Sequence, residues 1–343
     1  MKSINVGLIG YGYWGPNLAR NFKSQPGCRL AAICDLIQTR VDAAASLYPD
    51  NPPIQTTTCY QDLLKNPEID LVVIATPIST HYEIARQALL AGKDVLIEKP
   101  MTSTVAEAQE LICLAESNKS ILAVDHTFLY TPAVQKIRDL VRGGLIGTPI
   151  YLDSVRINLG LFQHDANVVY DLATHDFSIS SFLFEERPSC VQATGICYGS
   201  DSLESIAYLH VGYPSGFFMH LHVNWASPVK IRQMLIAGSE RMIVFDDMEP
   251  SEKLRVYDKG IISRPDPEAT HRLKVDYRSG DMVAPHLQTR EALAAETDHL
   301  VKCVRERKAP LSDGRLGLEV VRLLEGCTES LRRRGARVEL EST

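Results

Sequence analysis

Three absences narrow the reading of this 343-residue chain before any motif is considered. No apolar run approaches the roughly 18 residues of a membrane-spanning helix, because the longest, such as Leu71 to Ala75, are strand-sized. The eight cysteines (28, 34, 59, 113, 190, 197, 303 and 327) include no C-x-x-C pair. That spacing argues against a zinc ribbon or a disulfide framework and for reduced, mostly buried thiols. No basic run is longer than Arg332-Arg333-Arg334, and 36 basic against 42 acidic residues leave a net charge of −6. A nucleic-acid backbone is therefore not the expected partner. Only Lys2 precedes a first strand broken by glycine, so no secretory signal is expected and the chain reads as cytoplasmic, with no membrane partner.

What is present is ordinary globular material, with 45% hydrophobic and 23% charged residues over a length that suits two domains of roughly 150 residues. Residues 1–125 alternate short apolar runs with helical patterns. Ile4 to Ile9, Leu30 to Cys34, Leu71 to Ala75, Asp94 to Glu98 and Ile121 to Val124 read as strands. Pro16 to Lys23, Gln38 to Leu47, Thr80 to Ala91 and Thr104 to Asn118 read as helices. This α/β alternation predicts right-handed crossovers and a parallel sheet covered on both faces. Pro16 suits a first helical turn, Thr80 and Glu83 have capping-box spacing, and Gly92 falls where a helix end favours a left-handed residue.

Residues 126–343 read as an α+β domain. A helix over Pro132 to Arg142 precedes longer, alternating runs: Ile150 to Asn158, Ser189 to Tyr198, Ser205 to Tyr213, Gly216 to Trp225, Lys230 to Gly238 and Arg241 to Asp246. With one helix near Leu172 to Leu183, these predict a large, mostly antiparallel open sheet. Tyr257 to His286, with three prolines and weak periodicity, reads as a long loop. Helices near Thr289 to Arg305 and Arg315 to Arg333 can then cross back onto the first domain.

The chemistry begins at Gly10-Tyr11-Gly12-Tyr13-Trp14-Gly15. Chance supplies such a G-x-G-x-x-G only about 0.08 times in a chain of this glycine content, and its context sharpens it further. The motif follows the first strand, opens a helix, and has Asp35 some 20 residues beyond it at the end of the second strand. Glycines permit the tight turn, the helix N-terminus attracts a pyrophosphate, and the carboxylate accepts hydrogen bonds from ribose hydroxyls, so a dinucleotide is the expected ligand. Asp35 favours NAD because it repels a 2′-phosphate, while Arg40, one turn into the next helix, keeps NADP open.

Thr76-Pro77, with His81 beyond it, lies where open α/β sheets place their ligands. Glu98-Lys99-Pro100 ends the next strand, where the lysine amine can bind and relay the proton of a substrate hydroxyl. Asp171 and His175 stand four apart, on one face of a helix. His210, His220 and His222 fall on neighbouring strands, and we read that face as packed on a partner subunit with no metal.

Together these motifs resemble the signature of the Gfo/Idh/MocA oxidoreductases over nearly the whole chain. The resemblance implies a Rossmann domain plus a mostly antiparallel sheet domain, a nicotinamide cofactor, hydride transfer at a sugar or cyclitol carbon, and dimers or tetramers joined through the open sheet. It assigns Gly10, Gly12, Tyr13, Trp14, Gly15, Asp35, Thr76, Pro77, His81, Glu98 and Lys99 to the cofactor. It makes Lys99 the anchor of the reacting oxygen, His175 the general acid/base, and Asp171 the orienting carboxylate, and it implies a cis bond before Pro100. An imidazole's ordinary pKa of about 6.5 suits His175 to that role.

His126-Thr127-Phe128-Leu129-Tyr130 and Asn158-Leu159-Gly160 are similar to members acting on nucleotide-linked sugars. The expected substrate set is Tyr130, Asp171 and His175 from the resemblance, with Arg156, Asn158 and Gln163 as polar residues that line the substrate side of the second sheet. A free-sugar or inositol dehydrogenase, or a non-catalytic dinucleotide sensor, is the alternative.

Overall fold

The computed structural model describes residues 3–49, 52–160, 166–198, 203–258, 260–262, 276–278 and 280–340. It separates into two compact units, Met1–Thr131 with Arg290–Glu325 and Pro132–Thr289 with Gly326–Thr343. The boundary expected at 125/126 thus lies at 131/132, and a later stretch of chain completes the first unit.

In the first unit the described residues form a six-stranded parallel sheet of order β3-β2-β1-β4-β5-β6. Its strands are β1 (Ile4–Ile9), β2 (Cys28–Cys34), β3 (Gln55–Thr57), β4 (Leu71–Ile74), β5 (Asp94–Glu98) and β6 (Leu122–Asp125). Between them run α1 (Gly15–Ser24), α2 (Gln38–Leu47), α3 (Tyr60–Lys65), α4 (Ile78–Leu90) and α5 (Val105–Asn118). Alternation along β4 shows how both faces are buried. Leu71 and Val73 join the layer holding Leu18 and Phe22 of α1, whereas Val72 and Ile74 join the layer holding Ile84 of α4 and Leu111 of α5.

Two sequence expectations change here. Pro77 occupies the N-cap of α4, so Thr80 lies inside the first turn and its Oγ1 donates to Pro77 O, making no capping box with Glu83. The capping box belongs to α5, between Thr104 and Glu107. The sequence also concealed β3 and α3, because one is three residues long with no apolar side chain and the other is under two turns.

The second unit opens with α6 (Pro132–Arg142), followed by β7 (Pro149–Leu159) and α7 (Thr174–Leu183), the latter extended at its start by a π-helical turn, Val169–Ala173. Next come β8 (Cys190–Ile196), β9 (Ile206–Gly212), β10 (Phe218–Asn224), β11 (Ala226–Gly238), β12 (Met242–Asp246) and β13 (Leu254–Tyr257). The segment expected to be a loop over 257–286 instead carries β14 (Gly260–Ile262) paired with β15 (Asp276–Arg278), and β16 (Met282–Val283) paired with β13. Such short pieces fall below the length at which period-two patterning is legible.

The chain then forms α8 (Ala292–Glu306), α9 (Gly314–Arg332) and β17 (Val338–Glu339). Leu293, Leu300, Val301 and Val304 of α8 join the first unit's core, and β17 pairs with β8 of the second. The described residues of the second unit form a nine-stranded sheet of order β16-β13-β12-β11-β7-β10-β9-β8-β17, in which β7 and β10 pair in parallel and the remaining pairings are antiparallel. No helix among the described residues is long and apolar enough to cross a membrane.

Candidate active site

The turn after β1 is shaped by what its glycines exclude. Gly10 has φ +98°, and a Cβ there would lie 2.4 Å from Ala75 O; at Gly15 a Cβ would lie 2.2 Å from Gly10 O. Both are demanded by the chain itself. Gly12 differs: the nearest atom to its Cβ position is Arg40 Nη1 at 3.6 Å, so its flank is open to a ligand. Pro16 carries no N–H and Trp14 O takes those of Asn17 and Leu18, but no side chain caps α1, so the positive end of its dipole is left open to an anion. The turn therefore fits a pyrophosphate, with Gly12 the point of close approach.

Asp35 is almost fully buried and braces that turn. Its Oδ2 accepts from Tyr11 N–H at 2.7 Å and its Oδ1 from Ile37 N–H at 2.9 Å. Arg40 stands 3.4 Å from Oδ2, so the cation faces the Gly12 flank and is more than a solvated helix charge. Tyr13, the next residue after Gly12, is 88% exposed. The Trp14 indole turns the other way and donates to Asp125 Oδ2 at 2.9 Å.

Thr76 and Pro77 form the exposed turn after β4, and Glu98 and Lys99 the partly exposed end of β5. His81, expected to touch the cofactor, is instead 1% exposed. Its ring nitrogens lie 2.8 Å from Thr76 O and 3.0 Å from Pro100 O, so it ties the two rim turns together from beneath. The Lys99–Pro100 bond is cis, as the resemblance implies. Lys99 N–H donates to Glu98 Oε2 at 2.8 Å. Burial pushes the Glu98 carboxyl well above the usual carboxylate range, with the neighbouring Asp125 adding to it and Lys99 opposing.

His126, beside this group, is buried without a hydrogen-bond partner for either ring nitrogen among the described residues. Burial pulls it down to about 3, opposed by Asp125 and reinforced by Lys99. The folded chain therefore keeps His126 neutral while the unfolded chain takes up a proton below about pH 6.5, so this contribution to stability is lost as pH falls from 6.5 toward 3. His126→Gln should flatten the pH dependence: between pH 7 and 5 the parent loses about 2 kcal/mol more than the variant. Urea titrations at the two pH values test this, and equal losses would refute it.

Tyr130 leaves the substrate set. Its hydroxyl meets Ser312 Oγ at 3.2 Å and its ring packs 5.6 Å from His299, both inside the first unit.

In the second unit, Asp171 lies in the π turn and His175 in the first turn of α7. Within the stretch 171–180 these two are partly exposed and all others are buried, so the helix offers solvent these two groups. The Asp171 carboxylate accepts from Trp225 Nε1–H at 3.0 Å. Gly160 makes room for that indole, since a Cβ there would fall 2.5 Å from the Trp225 ring. Trp225 thereby joins the candidate site, and the sequence placed it only at the end of a strand run, because nothing along the chain links positions 171 and 225.

Arg156 is a correction. It is 4% exposed, and its Nε and Nη2 reach the Asp176 carboxylate at 2.8 and 3.1 Å, with Ser154 Oγ on the same carboxylate at 2.9 Å. The guanidinium that looked available for substrate fastens β7 to α7. Asn158 continues the same face of β7 and is partly exposed, while Gln163 lies outside the described residues. The opposite face carries His210 and His220 at 4.9 Å, Tyr208 and His222 at 4.4 Å, and Asp153 3.7 Å from His220 Nδ1.

Residues 4–126 match the family model described as "Oxidoreductase family, NAD-binding Rossmann fold", and residues 134–244 match "GFO/IDH/MocA C-terminal domain". The chain belongs to the Gfo/Idh/MocA oxidoreductase family. Among its relatives is the UDP-N-acetylglucosamine 3-dehydrogenase of Acidithiobacillus ferrooxidans, 27% identical over 94% of this chain and 95% of the relative. D-apiose dehydrogenase of Paraburkholderia graminis is 26% identical over 100% and 91%. A crystal form of the Acidithiobacillus enzyme superposes with a TM-score of 0.82 at 25% identity, covering 97% of this chain and 99% of that one. This Gfo/Idh/MocA protein is thus an NAD-binding oxidoreductase of the kind that acts on CH–OH groups, with a Rossmann domain and a second, mostly antiparallel sheet domain.

Proposed function

We propose that the chain is a sugar dehydrogenase or ketoreductase whose substrate is a nucleotide-linked sugar. The observation that carries this reading is the likeness, over nearly the full length of both chains, to a UDP-N-acetylglucosamine 3-dehydrogenase. Gly10, Gly12 and Gly15 seat the pyrophosphate, and Asp35 with Arg40 beside it meets the adenosine ribose. When bound, the nicotinamide ring gives or takes the hydride. The chain's own groups manage the oxygen: Lys99 holds the reacting hydroxyl, His175 removes or returns its proton, and Asp171, fixed by the Trp225 N–H, orients a neighbouring hydroxyl.

A free-sugar substrate is the second reading, favoured by the full-length likeness to D-apiose dehydrogenase. The two part on a panel of UDP-sugars and free aldoses and cyclitols, followed at the reduced-nicotinamide absorbance band with NAD and NADP. If the nucleotide contributes binding energy that is spent on the reacting centre, kcat/KM for the preferred UDP-sugar exceeds that for its free sugar by roughly 100-fold or more. Equal or better turnover of the free sugar would overturn the assignment. The face bearing Tyr208, His220 and Phe218 is the surface through which we place a second copy of the chain, and light scattering on the purified protein reads the resulting dimer or tetramer.

A further inference from the structure

Around Asp125 the first unit gathers groups that the proton chemistry above does not use. Asp125 closes β6 and is 2% exposed. One of its oxygens accepts the Trp14 indole N–H at 2.9 Å and the other the Thr127 hydroxyl at 2.5 Å. Glu98, at the end of β5, and Glu296, on α8 and 1% exposed, crowd the same carboxylate. Carboxyls crowded together in this way repel one another when ionised. Burial first, and Asp125 second, push both glutamates well above the usual carboxylate range.

What Asp125 holds is the glycine-rich turn. Trp14 is the N-cap residue of α1 and stands between Gly12 and Gly15, in a segment whose glycines give it little intrinsic stiffness. A part-buried carboxylate–indole bond ties this segment to the end of β6, the strand paired with β5. Ordering the turn before the ligand arrives removes an entropic cost from binding.

We propose that Asp125 is a positioning residue for the dinucleotide: its carboxylate clamps the Trp14 indole, and the clamp pre-forms the turn that receives the pyrophosphate. This rests on the NAD-binding reading of the turn and is independent of which sugar is oxidised.

Calorimetric titration of the full chain with NAD, in the absence of any sugar, tests it. Trp14→Phe keeps the ring and removes the N–H; Asp125→Ala removes the acceptor; Asp125→Asn keeps an oxygen for the indole. Each of the first two should weaken NAD binding by roughly tenfold, the scale of one hydrogen bond to a charged group. The double variant should be no weaker than the weaker single, because both remove the same bond. Asp125→Asn should bind within about threefold of the parent.

Parent-like affinity in folded Trp14→Phe, or losses that multiply in the double variant, would overturn the clamp. Should Asp125→Ala fail to fold, as judged by circular dichroism, Trp14→Phe and Asp125→Asn carry the same test alone. Because no sugar enters the titration, a chain that turns over none of the panel above would sink the substrate reading and leave this result standing.

Discussion

His175→Ala and Lys99→Ala each lower turnover by roughly 10²- to 10⁴-fold, the usual contribution of a positioned proton-transfer group, while NAD affinity stays within about twofold of the parent in His175→Ala and falls far less than turnover in Lys99→Ala, whose amine the resemblance also sets beside the cofactor. The split between the two readouts follows from where the residues lie. The glycine-rich turn and Asp35, which we propose receive the dinucleotide, make their contacts to Tyr11, Ile37 and Asp125, none of which involves either side chain. His175 emerges from a helix turn whose neighbours are buried, so its truncation opens no cavity in the second unit's core. Steady-state rates on the preferred sugar together with NAD titration measure both quantities. Full turnover in either variant would refute the acid/base assignment, and a matching collapse of NAD binding would make the effect one of folding.

Arg156→Ala is expected to be as damaging to stability as His175→Ala is to rate. The Arg156–Asp176 pair is buried on both sides, with relative exposures of 5% and 1%, and removing the cation strands a carboxylate that retains only the Ser154 hydroxyl. Breaking a buried pair from one side typically costs about 3–5 kcal/mol. Replacing both partners with apolar residues of similar volume, as in Arg156→Met with Asp176→Leu, should recover most of that loss, because no unpaired charge remains. Urea midpoints separate these outcomes; a loss under about 1 kcal/mol in the single variant would show that the carboxylate finds another partner.

The contrast between these residues marks what the sequence could disclose. The glycine turn after β1, the place of Asp35 just beyond β2 and the alternation of strand and helix were legible because each depends on local order along the chain. Arg156 looked like a substrate ligand because a polar residue on a strand is usually exposed, and Tyr130 because its segment resembles that of nucleotide-sugar members; their burial involves Asp176 and Ser312, which lie 20 and 182 positions away. His81 failed in the same direction: its position at the rim was readable, but the two carbonyls that capture its ring were not. Thr80 with Glu83 had the right spacing for a capping box, and one proline at the N-cap moved the helix start past it. Contacts made across the fold, such as Trp14 with Asp125 and Trp225 with Asp171, leave no trace in spacing at all.

The late return of residues 290–325 to the first unit has a consequence for how the protein is made. On the ribosome, β1 to β6 emerge with Leu18 and Phe22 lacking the cover of Leu300 and Val304, which are translated nearly three hundred residues later. A truncated product ending near residue 131 would carry that greasy seam uncovered, and is expected to be caught by chaperones or to precipitate where the full-length polypeptide does not.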